Sequence, residues 1–131
     1  MAAEIFRKTI VVAEDTEAMG QVIREKLENA GYFVIWKVNG KDAWEAIQRE
    51  TPALALLDWN MPIMDGSLVL AKMRNNAATK GIPVIMVTAK NKKAEVMVAM
   101  NNGVADYIVK PFSPADLLVR VKRALGEPTG V

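Results

Sequence analysis

The run Leu54-Ala55-Leu56-Leu57-Asp58-Trp59-Asn60-Met61-Pro62-Ile63-Met64-Asp65-Gly66 decides how the chain is read. Four consecutive apolar residues leave no polar alternation, so Leu54 to Leu57 reads as a strand buried on both faces, inside a parallel sheet. Pro52 bounds the run on one side, Pro62 and Gly66 on the other, and it stops at a lone carboxylate, Asp58. In an open doubly wound sheet the carboxyl ends of the strands line the crevice where ligands bind. Asp58 is therefore a site candidate by position alone.

Outward from this strand the pattern repeats. Thr9 to Ala13 reads as the first strand, ending in Glu14-Asp15, and Thr16 begins a helix with Met19, Val22, Ile23, Leu27 and Ala30 on one face and Gly31 as its stop. Tyr32 to Trp36 is the second strand, and Asn39-Gly40 leads to a helix carrying Ala43, Trp44 and Ile47. After the central strand, a helix from about Ser67 to Arg74 buries Leu68, Leu70 and Met73, and Val84 to Val87 is a strand ending at Thr88. Asn91 is placed to cap the next helix, with an interior of Ala94 to Met100 and a stop at Asn102-Gly103. Tyr107 to Val109 is the fifth strand, ending at Lys110-Pro111. Ser113-Pro114-Ala115-Asp116 then starts a last helix with Leu117, Leu118, Val121 and Leu125 inward. Alternating strands and helices of this length imply an α/β three-layer sandwich around a five-stranded parallel sheet.

Composition narrows the function classes. The 131 residues are 51% hydrophobic, enough for one core, and 17 basic against 15 acidic residues give a net charge of only +2, far from the field of a dedicated nucleic-acid binder. The chain has no cysteine and no histidine. That excludes disulfides, thiolate or imidazole metal sites, a thiol nucleophile, a histidine base and a phosphohistidine carrier. No apolar run approaches the ~18 residues needed to span a bilayer, and residues 1–7 lack a signal-peptide core, so a cytoplasmic protein without membrane association is expected.

Taken together, the strand ends carry Glu14 and Asp15, Asp58, Thr88 and Lys110. Carboxylates crowded at one end of a sheet repel each other unless a cation with hard oxygen ligands relieves them, and magnesium fits because it keeps coordination positions open for phosphoryl oxygens. A lysine and a threonine complete a phosphoryl-binding set. The chemistry pointed to is phosphoryl transfer to a carboxylate nucleophile, with Asp58 as acceptor.

These residues resemble the receiver domain of two-component response regulators, and the run Asp58 to Pro62 with Met64-Asp65-Gly66 resembles the family's chemotaxis member. The resemblance covers about residues 8 to 125, leaving residues 1–7 as an N-terminal extension and 126–131 as a tail, with no effector domain expected unless the sequence is cut from a longer regulator. It implies the flavodoxin-like strand order 2-1-3-4-5. It implies that Asp58 takes a phosphoryl group from a sensor histidine kinase or phosphotransfer protein. Magnesium would be held by Asp15 directly, by Glu14 mostly through water, by the backbone carbonyl of Asn60 and by Asp58. Thr88 and Tyr107 would be the switch residues and Lys110 the phosphate-binding lysine, aimed inward by a cis Lys110–Pro111 bond. Slow self-dephosphorylation, governed by Asn60 and Lys90, is implied in place of turnover of an external substrate.

Blander readings stand beside these. Glu14-Asp15 alone reads as a helix cap, Thr88 as an ordinary strand end, Tyr107 as core, Trp59 as a half-exposed lid, and Lys90, Lys92 and Lys93 as a solvated helix start. A dehalogenase-type phosphatase needs a general acid two residues after its nucleophile, where Asn60 stands and has no proton to give. A flavodoxin needs a phosphate loop where Glu14-Asp15 would repel the anion. A phosphorylation-independent scaffold of the same shape stays open. The segment Ala94 to Met100 is apolar nearly all round, so with Val96, Ala99 and Met100 facing the sheet, Met97 or Val98 is left outside near Val119. A target protein or a second copy contacting helix 4, strand 5 and helix 5 is expected there.

Overall fold

A computed structural model describes residues 7–130; residues 1–6 of the expected N-terminal extension, and Val131 of the tail, lie outside the described residues. The elements are β1 (Thr9–Ala13), α1 (Glu17–Asn29), β2 (Phe33–Lys37), α2 (Gly40–Glu50), β3 (Leu54–Leu57), α3 (Gly66–Arg74), β4 (Val84–Thr88), α4 (Lys93–Asn101), β5 (Asp106–Val109) and α5 (Pro114–Ala124). All strand pairs are parallel and the sheet order is β2-β1-β3-β4-β5. The flavodoxin-like α/β sandwich expected from the sequence is the observed one.

The uninterrupted apolar runs follow from the two faces of the sheet. Ile10 and Val12, Leu54 and Leu56, and Ile85 and Val87 pack with Ile23 and Leu27 of α1 and Leu117 and Val121 of α5. The alternate residues Val11, Ala13, Ala55, Leu57, Val84 and Met86 pack with Ala43 and Ile47 of α2, Val69, Leu70 and Met73 of α3, and Ala99 of α4. Period-two side-chain direction thus sends neighbours in one strand to different cores. The caps behave as their chemistry demands. The Asn39 side chain accepts the Asp42 N–H at 2.8 Å, and the Ser113 hydroxyl accepts the Asp116 N–H at 3.3 Å ahead of Pro114.

Three helices differ in phase from the sequence reading. In α3 the inward stripe is Gly66, Val69, Leu70 and Met73, while Leu68 is exposed, because Gly66 must lie against the backbone that follows β3 and thereby sets the rotation. In α1 the buried residues are Gly20, Ile23 and Leu27, and Val22 faces solvent. Asn91 is not the cap of α4. The helix begins at Lys93, and the Glu95 carboxylate accepts the N–H of Lys92 at 3.1 Å. Met100 joins Met97 and Val98 outside, at 54%, 51% and 47% exposure, because only Ala99 of this helix is buried. The apolar surface on α4 is therefore larger than expected.

Two side chains tie loops that the sequence reading passed over. Arg74 donates to the carbonyls of Lys80, Ile82, Asn102 and Gly103 at 2.8–3.2 Å, stapling the turn before β4 to the turn after α4. Glu127, beyond α5, accepts from the Tyr32 hydroxyl and pairs with the Lys8 ammonium, which fastens the C-terminal end to the starts of β1 and β2. The Lys8 and Tyr32 donors hold the Glu127 carboxyl below the usual carboxylate range. A lowered folded-state pKa contributes stability above the unfolded-state value, and that contribution is lost as pH falls through the folded value. Glu127→Gln should therefore cost about 0.5–1 kcal/mol at pH 7, a size limited by solvent screening, and nothing in acid. Urea unfolding of both proteins at the two pH values checks this; an equal gap at both would contradict it.

Candidate functional site at the carboxyl ends of the strands

Sheet register assembles the site. Ala13 of β1 is level with Leu57 of β3, so the residues that follow, Glu14 and Asp58, emerge side by side. The Asp58 N–H continues the ladder to the Ala13 carbonyl at 3.0 Å, and the Lys110 N–H reaches the Thr88 carbonyl at 2.9 Å beyond β4 and β5. Main-chain pairing thus carries past the last residue of each strand and fixes where Glu14, Asp58 and Lys110 begin. Gly66 completes the setting. A Cβ there would lie 1.8 Å from the Asp58 carbonyl oxygen, so only glycine lets the start of α3 approach so closely, with its N–H on the Trp59 carbonyl at 2.8 Å.

The side chains converge as the sequence suggested. Lys110 Nζ donates to Glu14 Oε1 at 2.6 Å and to Asp58 Oδ2 at 2.8 Å, with Glu14 and Asp58 nearly inaccessible. One carboxylate oxygen from each of Glu14, Asp15 and Asp58 lies within 4.8 Å of the others. Glu14 and Asp58 are buried and Asp15 is exposed, which leaves the cluster open on the Asp15 side. An all-oxygen donor set of this kind fits a small hard divalent cation. Asn60 is exposed and its N–H donates to Asp58 Oδ1 at 3.2 Å. With Lys90 and Lys92 it lines a polar pocket of about 290 Å³. Trp59 is half-buried against the α2–α3 core.

The electrostatics follow from burial. Desolvation raises the Glu14 carboxyl above the usual range, and the Lys110 bond only partly counters this. Burial would lower Lys110, yet the bonds and charges of Asp58 and Glu14 outweigh it and raise its pKa, so its ammonium stays charged. One oxygen of Glu14 also accepts the Thr16 N–H at 3.2 Å, so this acid serves the start of α1 as well as the site.

Thr88 and Tyr107 meet through Lys90, which the sequence reading tied to dephosphorylation and to a basic helix start but not to these two residues. The buried Thr88 hydroxyl accepts the Lys90 N–H at 3.3 Å, and the half-buried Tyr107 hydroxyl donates to the Lys90 carbonyl at 2.6 Å. The Lys90 ammonium pairs with Glu95 of α4 at 3.1 Å. Burial, with the charges of Glu95 and Asp58, raises the Tyr107 hydroxyl pKa. Main-chain contacts of this sort leave no trace in residue type, so no motif would have found them. The peptide bond Lys110–Pro111 is cis.

Removing the ammonium tests this account of the site. Lys110→Met leaves two buried carboxylates without their shared counter-charge and should lower the unfolding free energy by on the order of 3 kcal/mol at pH 7. Urea denaturation without divalent cations measures it, and a variant as stable as wild type would contradict the pairing.

The comparisons with known proteins agree with this geometry. The family model described as "Response regulator receiver domain" matches residues 10–122. The chemotaxis protein CheY1 of Helicobacter pylori is 38% identical over 119 residues, covering 89% of this chain and 96% of that protein. Among solved structures, a CheY-like response regulator receiver domain protein from Methanospirillum hungatei superposes with a TM-score of 0.87 at 30% identity, covering 92% of this chain and 95% of that one. The BeF3-activated N-terminal receiver domain of RstA from Klebsiella pneumoniae gives 0.82 at 31% identity, covering 89% and 97%. The aspartate ending β3, the acids after β1 and the lysine after β5 thus stand in a chain that belongs to the response regulator receiver domains of two-component signalling.

Proposed function

We propose that this receiver is a phosphorylation-activated switch, with Asp58 accepting a phosphoryl group from a phosphohistidine on a sensor histidine kinase or phosphotransfer protein. The observation that carries this reading is the Lys110 ammonium bridging Glu14 and Asp58 while the oxygens of Glu14, Asp15 and Asp58 converge within 4.8 Å. In the transfer, Asp58 Oδ forms the new bond to phosphorus as the phosphorus–nitrogen bond breaks and the imidazole leaves. Glu14, Asp15, Asp58 and the Asn60 carbonyl are the groups proposed to hold magnesium, which when bound supplies positive charge toward the phosphoryl oxygens. Lys110 exchanges its bond to Asp58 Oδ2 for one to a phosphoryl oxygen. The polar pocket beside Asn60 and Lys90 gives donor and water access to the acceptor, so these two residues govern how long the acyl phosphate survives hydrolysis.

Phosphorylation adds about −1.5 to −2 charge units and three acceptor oxygens beside Thr88. Its hydroxyl then turns to donate to a phosphoryl oxygen, drawing its oxygen away from the Lys90 N–H, and the loop through Lys90 that holds Tyr107 rearranges. The exposed Met97, Val98 and Met100 lie on α4, next in the chain to that loop. Residues 8–125, tied back by Glu127, form the switching unit. The α4–β5–α5 face is its output, meeting a target protein or a second copy.

Intact-mass analysis after treatment with acetyl phosphate tests the acceptor. Wild type should gain one phosphoryl group only with magnesium present, Asp58→Asn none, and Asp15→Asn almost none. Full labelling of Asp58→Asn, or labelling of wild type undiminished by a chelator, would overturn the reading.

A further inference from the structure

Glu14 is gripped by its main chain from one side. Its N–H donates to the Lys37 carbonyl at 3.0 Å, and its carbonyl accepts the indole N–H of Trp36 at 2.8 Å. Both partners come from β2, where Trp36 is level with Val12 and Lys37 with Ala13. The Glu14 carbonyl belongs to the peptide group that joins Glu14 to Asp15, so the indole fixes the plane from which Asp15 leaves. Asp15 is exposed, and among the described residues its carboxylate makes no hydrogen bond. The peptide group it leaves from is thus the part of its setting that neighbouring residues hold.

The indole is fixed in turn. A Cβ at Gly20 would lie 2.0 Å from Cζ2 of Trp36, so the ring fills the space a side chain would take on α1. Glycine costs about 1 kcal/mol against alanine inside a helix, and here that position is given over to the ring. One turn on, the Arg24 guanidinium carbon stands 5.5 Å from the ring centroid and covers it. α1, β2 and the acid pair are thereby coupled into one block.

We propose that Trp36 is a positioning residue for the metal-binding acids, its indole N–H orienting the Glu14–Asp15 peptide so that both carboxylates converge on Asp58. This rests on the magnesium reading given above. Groups that orient metal ligands from behind are worth about 10- to 100-fold in affinity.

The test is calorimetric titration of magnesium into wild type, Trp36→Phe, Gly20→Ala and Asp15→Asn, with the unfolding temperature of each measured without metal. Trp36→Phe keeps an aromatic ring but has no donor. Gly20→Ala keeps the donor, alters no acid, and pushes the ring away from the Glu14 carbonyl. Both should bind magnesium about tenfold more weakly than wild type while remaining folded, and Asp15→Asn should be weaker still. If Trp36→Phe fails to fold, the affinity of Gly20→Ala decides. An indole with only a structural part would lower the unfolding temperatures and leave the affinities of the folded variants unchanged, which overturns the proposal alone. A wild type that binds no magnesium overturns the metal reading and this proposal with it.

Discussion

One ammonium holds together what the sheet register forces into proximity. Parallel pairing of β1 with β3 delivers Glu14 and Asp58 to adjacent positions with less than a tenth of either exposed, and two such carboxylates cannot both be charged without a cation between them. Lys110 is that cation in this structure, arriving from β5 at the far edge of the sheet. Whatever enters the cluster from the Asp15 side, a divalent ion or a phosphoryl group, must redistribute the bonds of this lysine. Here the fold and the proposed chemistry share a single interaction.

The route from this centre to the surface is short and mostly main chain. Thr88 and Tyr107 share no direct hydrogen bond; each binds a different atom of Lys90, whose own ammonium reaches Glu95 on α4. Lys90 is thereby in contact with Thr88, with the aromatic side chain and with the helix that exposes Met97, Val98 and Met100. Arg74 fastens the other end of α4 to the turn before β4 through four carbonyl bonds. The helix is thus held at its far end by Arg74 and at its near end by Glu95, which accepts the Lys92 N–H and pairs with Lys90.

Much of this was legible from residue type. The apolar run of β3 read as a doubly buried strand, and it feeds two cores, as β1 and β4 also do; punctuation by Pro52, Gly31, Asn39 and Ser113-Pro114 placed most element ends within a residue or two. The convergence of Glu14, Asp15, Asp58 and Lys110 followed from strand ends alone. Helix phase was less legible where close backbone approach, rather than apolar periodicity, sets it. Gly66 turns α3 so that Val69 replaces Leu68 inward, and the α1 stripe runs Gly20, Ile23, Leu27, with Gly20 against Trp36. Contacts made by main-chain atoms, such as Lys90 with Tyr107 or Trp36 with Glu14, were invisible for the same reason: any residue carries those atoms, so composition holds no record of them.

The central claim is that charge arriving at Asp58 is relayed through Thr88 to Tyr107. Amide NMR of the labelled protein, titrated first with magnesium and then with beryllofluoride as a phosphoryl mimic, measures this most directly. The account predicts magnesium shifts at Glu14, Asp15 and Asp58 in both wild type and Thr88→Ala, followed on beryllofluoride by shifts spreading through Lys90 to Tyr107 and α4 in wild type only. Beryllofluoride shifts confined to the residues around Asp58 in wild type, or equally extensive in Thr88→Ala, would contradict it.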